Sequence, residues 1–336
     1  MPFELSCIIP TYNRRAILGL VLDALERQSV AAGRFEVLVV DDGSADGTPA
    51  WVSHQRRPYA LRLLEQKNSG PGVARNTGAS VAQGALLLFL DDDLVPEPNL
   101  IEEHLRSHQS EGRVAVVGPL GSLPRYSQPW VAWQQAQIEK QYRAMERGDY
   151  SPTFRQFWTA NCSVEKRDFD AVGGFDKALR RDEDVELGLR LAQSGVGFCF
   201  NAKAFGYHHA QRTLDSWIRA HSNYGEYEFE IFSRMGDEHS RGVLRSIWRG
   251  LHPATRLLIR SCGRSRLRGA AATAALEQTI GLGVSEPLRK LSHFACSAYA
   301  NLHYWRAMRT ALGEERFAEI TGSSSDSVPS ARSKIR

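Results

Sequence analysis

Cysteine is scarce in this 336-residue chain: there are five (Cys7, Cys162, Cys199, Cys262, Cys296), an odd and scattered set with no Cys-x-x-Cys. That argues against a disulfide scaffold and a thiolate zinc site, and for a reducing compartment. Long apolar runs are missing as well. The longest aliphatic or aromatic stretch at a candidate strand is Ala85–Leu90, whereas a membrane span needs about 18 residues. The opening residues, MPFELSCIIPTYN, lack a charged region ahead of a long apolar one, so no signal peptide is expected. A GxxxxGK[ST] phosphate loop is absent, and so is any repeat of about 20–50 residues. Neither charge sign dominates, with 42 Lys and Arg against 38 Asp and Glu, which gives no argument for nucleic acid. A soluble cytoplasmic protein, or one resting on the inner face of a membrane, is the expectation.

What is present is an alternation. Short runs rich in Val, Ile, Leu and Phe occur at Leu5–Ile9, Phe35–Val40, Leu61–Leu64, Ala85–Leu90 and Val114–Val117, as suits strands buried on both faces of a parallel sheet. Amphipathic stretches separate them at Arg15–Arg27, Pro49–Arg56, Gly72–Ala82 and Asn99–Ser107. Strand–helix repetition of this kind predicts a doubly wound α/β sheet, whose ligand sits beyond the carboxyl ends of the strands. Each of those ends is polar or acidic: Thr11-Tyr12-Asn13, Asp41-Asp42-Gly43-Ser44, Asn68-Ser69-Gly70-Pro71-Gly72 and Asp91-Asp92-Asp93. Further on, a strand is expected at Ala160–Val164, a helix at Glu183–Gln193 and a strand at Val196–Phe200, with helices from Leu214 onward.

Three adjacent carboxylates at Asp91–Asp93 need a compensating cation. In an extended chain Asp91 and Asp93 point the same way, so Mg²⁺ or Mn²⁺ is one reading and a solvated acidic turn the other. Gly70 and Gly72 mimic part of a dinucleotide fingerprint. Arg75 stands where the third glycine belongs, and the motif follows the third strand rather than the first, which disfavours a dehydrogenase. Glu183 and Asp184 open a helix, where acids complement the macrodipole or supply a general base. Tyr207-His208-His209 offers at most one imidazole to a site if the chain there is extended.

Six stretches together resemble the family 2 glycosyltransferases: IIPTYNR (8–14), VVDDGSADGT (39–48), NSGPGVARNTGA (68–79), LLLFLDDDLVPEPNL (86–100), GGFDKAL (173–179) and RRDEDVELGLRL (180–191), in the family's order and covering about residues 4–230. The resemblance implies a GT-A fold and inverting transfer of a sugar from a nucleoside-diphosphate donor, most simply a UDP-sugar, to a glycan, lipid-linked or small-molecule hydroxyl. It implies donor binding by Pro10, Thr11, Tyr12, Asn13, Asp42, Gly43, Asn68, Gly70, Arg75, Asp91 and Asp92, with Asp42 on the base and Arg75 toward the diphosphate or sugar. It implies metal ligation by Asp93, Asp91 and His208, and a catalytic base at Asp184 with Glu183 beside it. Trp158 and Asn161 fall where the acceptor pocket is usually shaped. At an ordinary pKa of about 3.9, Asp184 is expected to be ionised at neutral pH. A catalytically silent sugar-nucleotide-binding or scaffolding protein is the rival reading.

The expected organisation is a catalytic domain at 1–236 (nucleotide half 1–123, acceptor half 124–236), a basic helical region at 237–321 and a disordered tail at 322–336. The region 237–320 holds 13 Lys and Arg against 7 Asp and Glu, with Arg241, Arg245, Arg249, Arg256, Arg260, Arg264, Arg266 and Arg268 interleaved with leucines. Two partners suit it: an anionic membrane surface, or a packing partner in the same chain or a second subunit. No nucleic-acid reader motif is present.

Overall fold

The apolar runs become strands because each is long enough to cross a sheet and its few polar residues find partners inside it: Ser6 Oγ donates to Glu36 (2.7 Å), which Arg62 approaches at 3.6 Å. In the computed structural model, β1 (Phe3–Thr11) is followed by α1 (Arg15–Leu25), β2 (Phe35–Asp41), α2 (Thr48–Ser53), β3 (Ala60–Glu65), α3 (Pro71–Val81) and β4 (Gly84–Leu90). Then come β5 (Leu94–Pro96), α4 (Leu100–Ser110), β6 (Val114–Val117), β7 (Leu120–Gly121), α5 (Pro129–Glu146), β8 (Asn161–Glu165), α6 (Lys166–Ala171), α7 (Glu183–Gln193), β9 (Gly197–Phe200) and β10 (Gly206–His208). The helices α8 (Leu214–Ser233), α9 (Asp237–Gly250), α10 (Pro253–Cys262), α11 (Arg266–Gly281), α12 (Arg289–Leu312) and α13 (Glu314–Thr321) complete the chain. The structure describes residues 3–122, 128–179, 181–210, 212–234, 236–262, 266–282 and 286–322. The tail expected from residue 322 lies outside them beyond Gly322, as do Arg180, Arg264 and the break expected near Gly263.

Seven strands form one sheet in the order β3-β2-β1-β4-β8-β6-β9. Its β1, β2, β3 and β4 are parallel neighbours, and β6 runs parallel to β9. Only β8 is reversed, antiparallel to both β4 and β6. Leucine, valine and isoleucine pack on both faces: one layer takes Ile9, Leu22 and Leu88, the other Ile8, Val40 and Phe89. A second sheet, β5-β10-β7, sits past the end of β4 and sets His208 opposite Leu94. The sequence did not announce it, because three-residue strands leave no period to read.

Two compact units result: Met1–Ser127 with Val131–Gln211, and Gln128–Trp130 with Arg212–Arg336. The division falls ahead of α8, where the sequence suggested 236/237. The reason is packing: α8 lies along α12, closely enough at Gly225 that a Cβ would strike the Tyr304 carbonyl oxygen. The second unit has its own core around Trp248, Trp305, Met308 and Phe317.

In the first unit, β8 carries a buried polar chain. Asn161 Nδ2 donates to the carbonyls of Pro119 (3.2 Å) and Ala204 (2.8 Å), so its Oδ1 accepts from His104 Nε2 (3.0 Å). That leaves His104 Nδ1 to accept from Ser163 Oγ (2.8 Å), which in turn accepts from His108 Nε2 (2.9 Å). Burial pushes both imidazoles down to about 4, so they are neutral at pH 7, as this donor order requires. Replacing Asn161 by Leu strands one N–H and two carbonyls, and should cost about 3 kcal/mol or more in a urea melt.

Candidate active site

Beyond the carboxyl ends of β1, β2 and β4 the chain turns sharply. Among the described residues only two other than glycine have a left-handed backbone, Asn13 (φ 53) and Asp182 (φ 55). Each immediately precedes charged side chains, Arg14 in one case and Glu183-Asp184 in the other. Strained backbone of this kind persists only where surrounding contacts hold it. Asn13 is held by its N–H to Ser44 Oγ (2.8 Å) and by accepting the Ala45 N–H at its Oδ1 (2.7 Å).

Arg75, one turn into α3, is buried at 4 % exposure among acids. Nη2 donates to Asp91 Oδ1 (2.7 Å) and Nη1 to Glu183 Oε1 (3.0 Å), while the guanidinium lies 5.7 Å from the centre of the Phe175 ring. The expected diphosphate-facing arginine is therefore a clamp between the acids after β4 and those opening α7. Close approach of α3 to α7 explains Gly72, where a Cβ would sit 3.2 Å from Glu183 Cγ.

Asp91, Asp92 and Asp93 do not continue β4. Leu94 N donates to the Asp91 carbonyl (3.2 Å), closing a turn that splays the three carboxylates. The expectation that Asp91 and Asp93 point the same way fails for that reason: Asp91 goes to Arg75, and Asp93 to Arg14 Nη1 (2.5 Å). Asp92 points inward, accepting from Thr11 Oγ1 (2.7 Å) and Arg14 Nη1 (3.0 Å). Burial and the neighbouring Asp93 charge lift Asp92 to about 7 despite Arg14 and Thr11. Asp93 is buried too, but His208 and Arg14 outweigh that and hold it at about 2.

No three His, Cys, Asp or Glu side chains converge to enclose a metal among the described residues. An open half-site does exist. Asp93 Oδ1 is sealed from solvent without a hydrogen-bond partner, and His208 Nε2 stands 3.4 Å from it. Divalent cations of this size are commonly held by one or two protein ligands, the rest coming from phosphate oxygens and water. The pair fits such a cation, and the imidazole suits Mn²⁺ better than Mg²⁺.

Asp184 lies beside this cluster with no arginine paired to it among the described residues. Its Oδ1 accepts the Val185 N–H (2.8 Å), and the Thr159 N–H also favours the charged form. Burial, reinforced by the Glu183 charge, lifts Asp184 to about 7, against the ordinary carboxylate value expected from sequence. A carboxylate poised there can take up a proton near neutral pH.

The other expected residues divide. Asp42 is largely employed in shaping its loop: Oδ1 accepts from Gln66 Nε2 and Ser69 N (both 2.8 Å) and Oδ2 from Gly70 N (2.9 Å). Gly43 (φ 84) and Gly70 (φ 95) need their left-handed backbone for that loop to close. Pro10 is half-buried, while Tyr12, Asn13 and Asn68 are exposed at the strand ends. Trp158 is partly buried and packs edge-on against Tyr142, 6.0 Å between centroids, at the border of the core. Asn161, wholly buried with both amide atoms bonded inside the protein, is a structural residue and not part of an acceptor pocket. Sequence reasoning missed Arg14; its position directly after the first strand end, facing a triple acid, was the available signal.

Residues 6–170 match the family described as Glycosyl transferase family 2. A validoxylamine A glucosyltransferase of Streptomyces hygroscopicus subsp. jinggangensis is 32% identical over 232 residues, covering 60% of this chain and 54% of that protein. Glycosyltransferase AglE of Haloferax volcanii is 29% identical over 234 residues, covering 69% and 75%. The chain thus spans about half the length of the Streptomyces relative. In three dimensions it is similar to a mannosyltransferase from Pyrobaculum calidifontis in complex with GDP-Man and Mn²⁺ (TM-score 0.60, 19% identity, 92% of this chain and 87% of that one). It is also similar to S. aureus TarS 1-349 in complex with UDP-GlcNAc (TM-score 0.54, 18% identity, 93% of each). The fold is GT-A.

Arg75→Met removes the one cation that Asp91 and Glu183 share. Leaving those acids unpaired should lower stability by about 3–5 kcal/mol in chemical denaturation. A loss under 1 kcal/mol would mean that the clamp is dispensable.

Proposed function

From the premise that this chain carries a glycosyltransferase family 2 domain, we propose that it transfers a sugar from a nucleoside-diphosphate donor to a hydroxyl acceptor, inverting the anomeric carbon. The observation that supports this most is Asp184, a half-buried carboxylate held near pKa 7 within the acid cluster bound by Arg75. In this reading Asp184 takes the acceptor hydroxyl proton as oxygen bonds to the anomeric carbon. The bond to the diphosphate breaks on the opposite face and its electron pair leaves with the nucleotide. Arg75 keeps Asp91 and Glu183 fixed, and Glu183 supplies the negative charge that makes Asp184 basic. Asp93 and His208 would hold Mn²⁺ or Mg²⁺, which when bound stabilises charge on the departing diphosphate. A UDP-sugar is the first donor to try, in a thermal-shift panel that includes GDP-sugars and NAD⁺.

Asp184→Asn should retain nucleotide binding and lose roughly 10²-fold or more in turnover. Because the active base is the ionised form and its pKa is lifted, kcat should fall tenfold per pH unit below about 7 and level off above it. An acid limb near 4, or an Asn variant with unchanged turnover, removes Asp184 from the role. Nucleotide-sugar binding without turnover of any donor in the panel would favour the silent binding protein.

The second unit supports a peripheral membrane contact. Residues 253–312 contain nine Lys and Arg against two acids. The same stretch holds Leu257, Leu267, Leu282, Leu288, Leu291 and Phe294, all exposed. Leu288, Leu291 and Phe294 recur every third residue at the start of α12, next to Arg289 and Lys290. No described helix is long and apolar enough to cross a membrane, so the arrangement suits an interfacial contact with anionic headgroups. The protein should sediment with anionic vesicles and not with neutral ones, and salt should release it. The pair Leu291→Asp and Phe294→Asp should abolish binding. Retention in the supernatant with both vesicles, or a dimer in sedimentation velocity that those changes dissolve, assigns the face to a second copy instead.

A further inference from the structure

Arg14 is the second cation of the acid cluster and stands against the metal half-site. Its Nη1 reaches Asp93 Oδ2 at 2.5 Å and Asp92 Oδ1 at 3.0 Å. It covers one oxygen of Asp93 and leaves the other, Oδ1, beside His208 Nε2. Its position is built deliberately. Asn13, immediately before it, is held left-handed by two hydrogen bonds to residues 44 and 45, so the chain accepts backbone strain to deliver this side chain. Arg14 remains 46% exposed in its side chain, free to meet a ligand arriving from solvent.

We propose that Arg14 is an electrostatic gate which makes divalent-metal binding at Asp93 and His208 depend on the nucleotide's diphosphate. A fixed positive charge in contact with the same carboxylate repels a divalent cation arriving alone. It also withdraws from the cation part of the attraction that Asp93 would otherwise exert. A diphosphate reverses the balance, because its oxygens attract the metal and the guanidinium together. Metal and nucleotide then bind cooperatively, and by linkage each must tighten the other by the same factor. Free cation is not trapped in the absence of donor, and the donor is held as its metal complex. The inference rests on the reading of Asp93 and His208 as the metal ligands, and adds a positioning residue to it.

The test is calorimetry on the full chain, titrating Mn²⁺ alone, then UDP and GDP each with and without Mn²⁺. Wild type should bind Mn²⁺ weakly alone and show strong coupling to the accepted nucleotide. Arg14→Met should bind Mn²⁺ alone about tenfold tighter, with the coupling reduced by a similar factor. Arg14→Lys keeps the charge and should behave as wild type. If Arg14→Met melts too low to titrate, adding Asp92→Asn removes the acid it would leave unpaired, and the same comparison is made in that background. A merely structural Arg14 predicts the opposite sign, with weaker Mn²⁺ binding on its removal; that result, no change, or a Lys variant matching Met overturns the gate. The underlying metal reading fails separately, if wild type shows no Mn²⁺ effect on either nucleotide and Asp93→Ala leaves Mn²⁺ affinity unchanged.

Discussion

The bidentate reach of Arg75 to Asp91 and Glu183 is the contact on which the site depends. It ties together the start of α3, the turn after β4 and the start of α7, three segments far apart in sequence. Asn76 continues the tie one residue on, donating to the Phe175 carbonyl (2.8 Å) and accepting its N–H (2.9 Å). That fixes Phe175 against the guanidinium. Buried acids brought this close would repel one another without a cation between them, so Arg75 is what allows an acidic cluster to exist inside a folded protein.

The cation supply is nevertheless short. Among the described residues, Asp91, Asp92, Asp93, Glu183 and Asp184 have only Arg75 and Arg14 as direct ion-pair partners, with His208 at the margin. Burial, reinforced by the neighbouring acids, lifts Asp92 and Asp184 to about 7, more than the available cations offset. Asp93 Oδ1 is buried with only the long 3.4 Å approach of His208 Nε2 among the described residues. A site of this kind is suited to binding cations and holding protons, the two properties that the proposed transfer from a diphosphate donor would use. Stability is conceded for it: each lifted carboxylate favours its protonated form, so these two acids take stability away as pH rises from about 4 toward 7. That opposes the gain over the same range from buried His104 and His108, which are neutral in the fold.

The sheet was legible because its strands are predominantly apolar runs, and α7 was read from Glu183 to Gln193 as it stands. The acids and glycines at the strand ends were legible for the same reason, since nothing apolar obscures them. Directions were not. Period-two reasoning sent Asp91 and Asp93 the same way, but it holds only while the chain stays extended, and the Asp91–Leu94 hydrogen bond ends that. Asn161 and Trp158 show the other limit. A polar or aromatic residue at a strand edge looks ligand-facing until tertiary contacts consume it, as His104, Pro119 and Ala204 consume Asn161. The boundary after Gln211 was hidden because it depends on α8 packing against α12, some 75 residues on.

Asp42 illustrates how a recognised motif and its geometry divide the labour. A carboxylate offers about four acceptor positions, and three of Asp42's are taken by Gln66, Ser69 and Gly70. At most one remains for a ligand, so Asp42 alone has little power to distinguish one nucleobase from another. What it does with the other three is shape the loop that leads into α3, at whose first turn Arg75 stands. A substitution at Asp42 would therefore reach Arg75 through the backbone of residues 66–70, and with it Asp91 and Glu183. The acid of the second strand end acts on the chemistry chiefly by holding the arginine of the third in place.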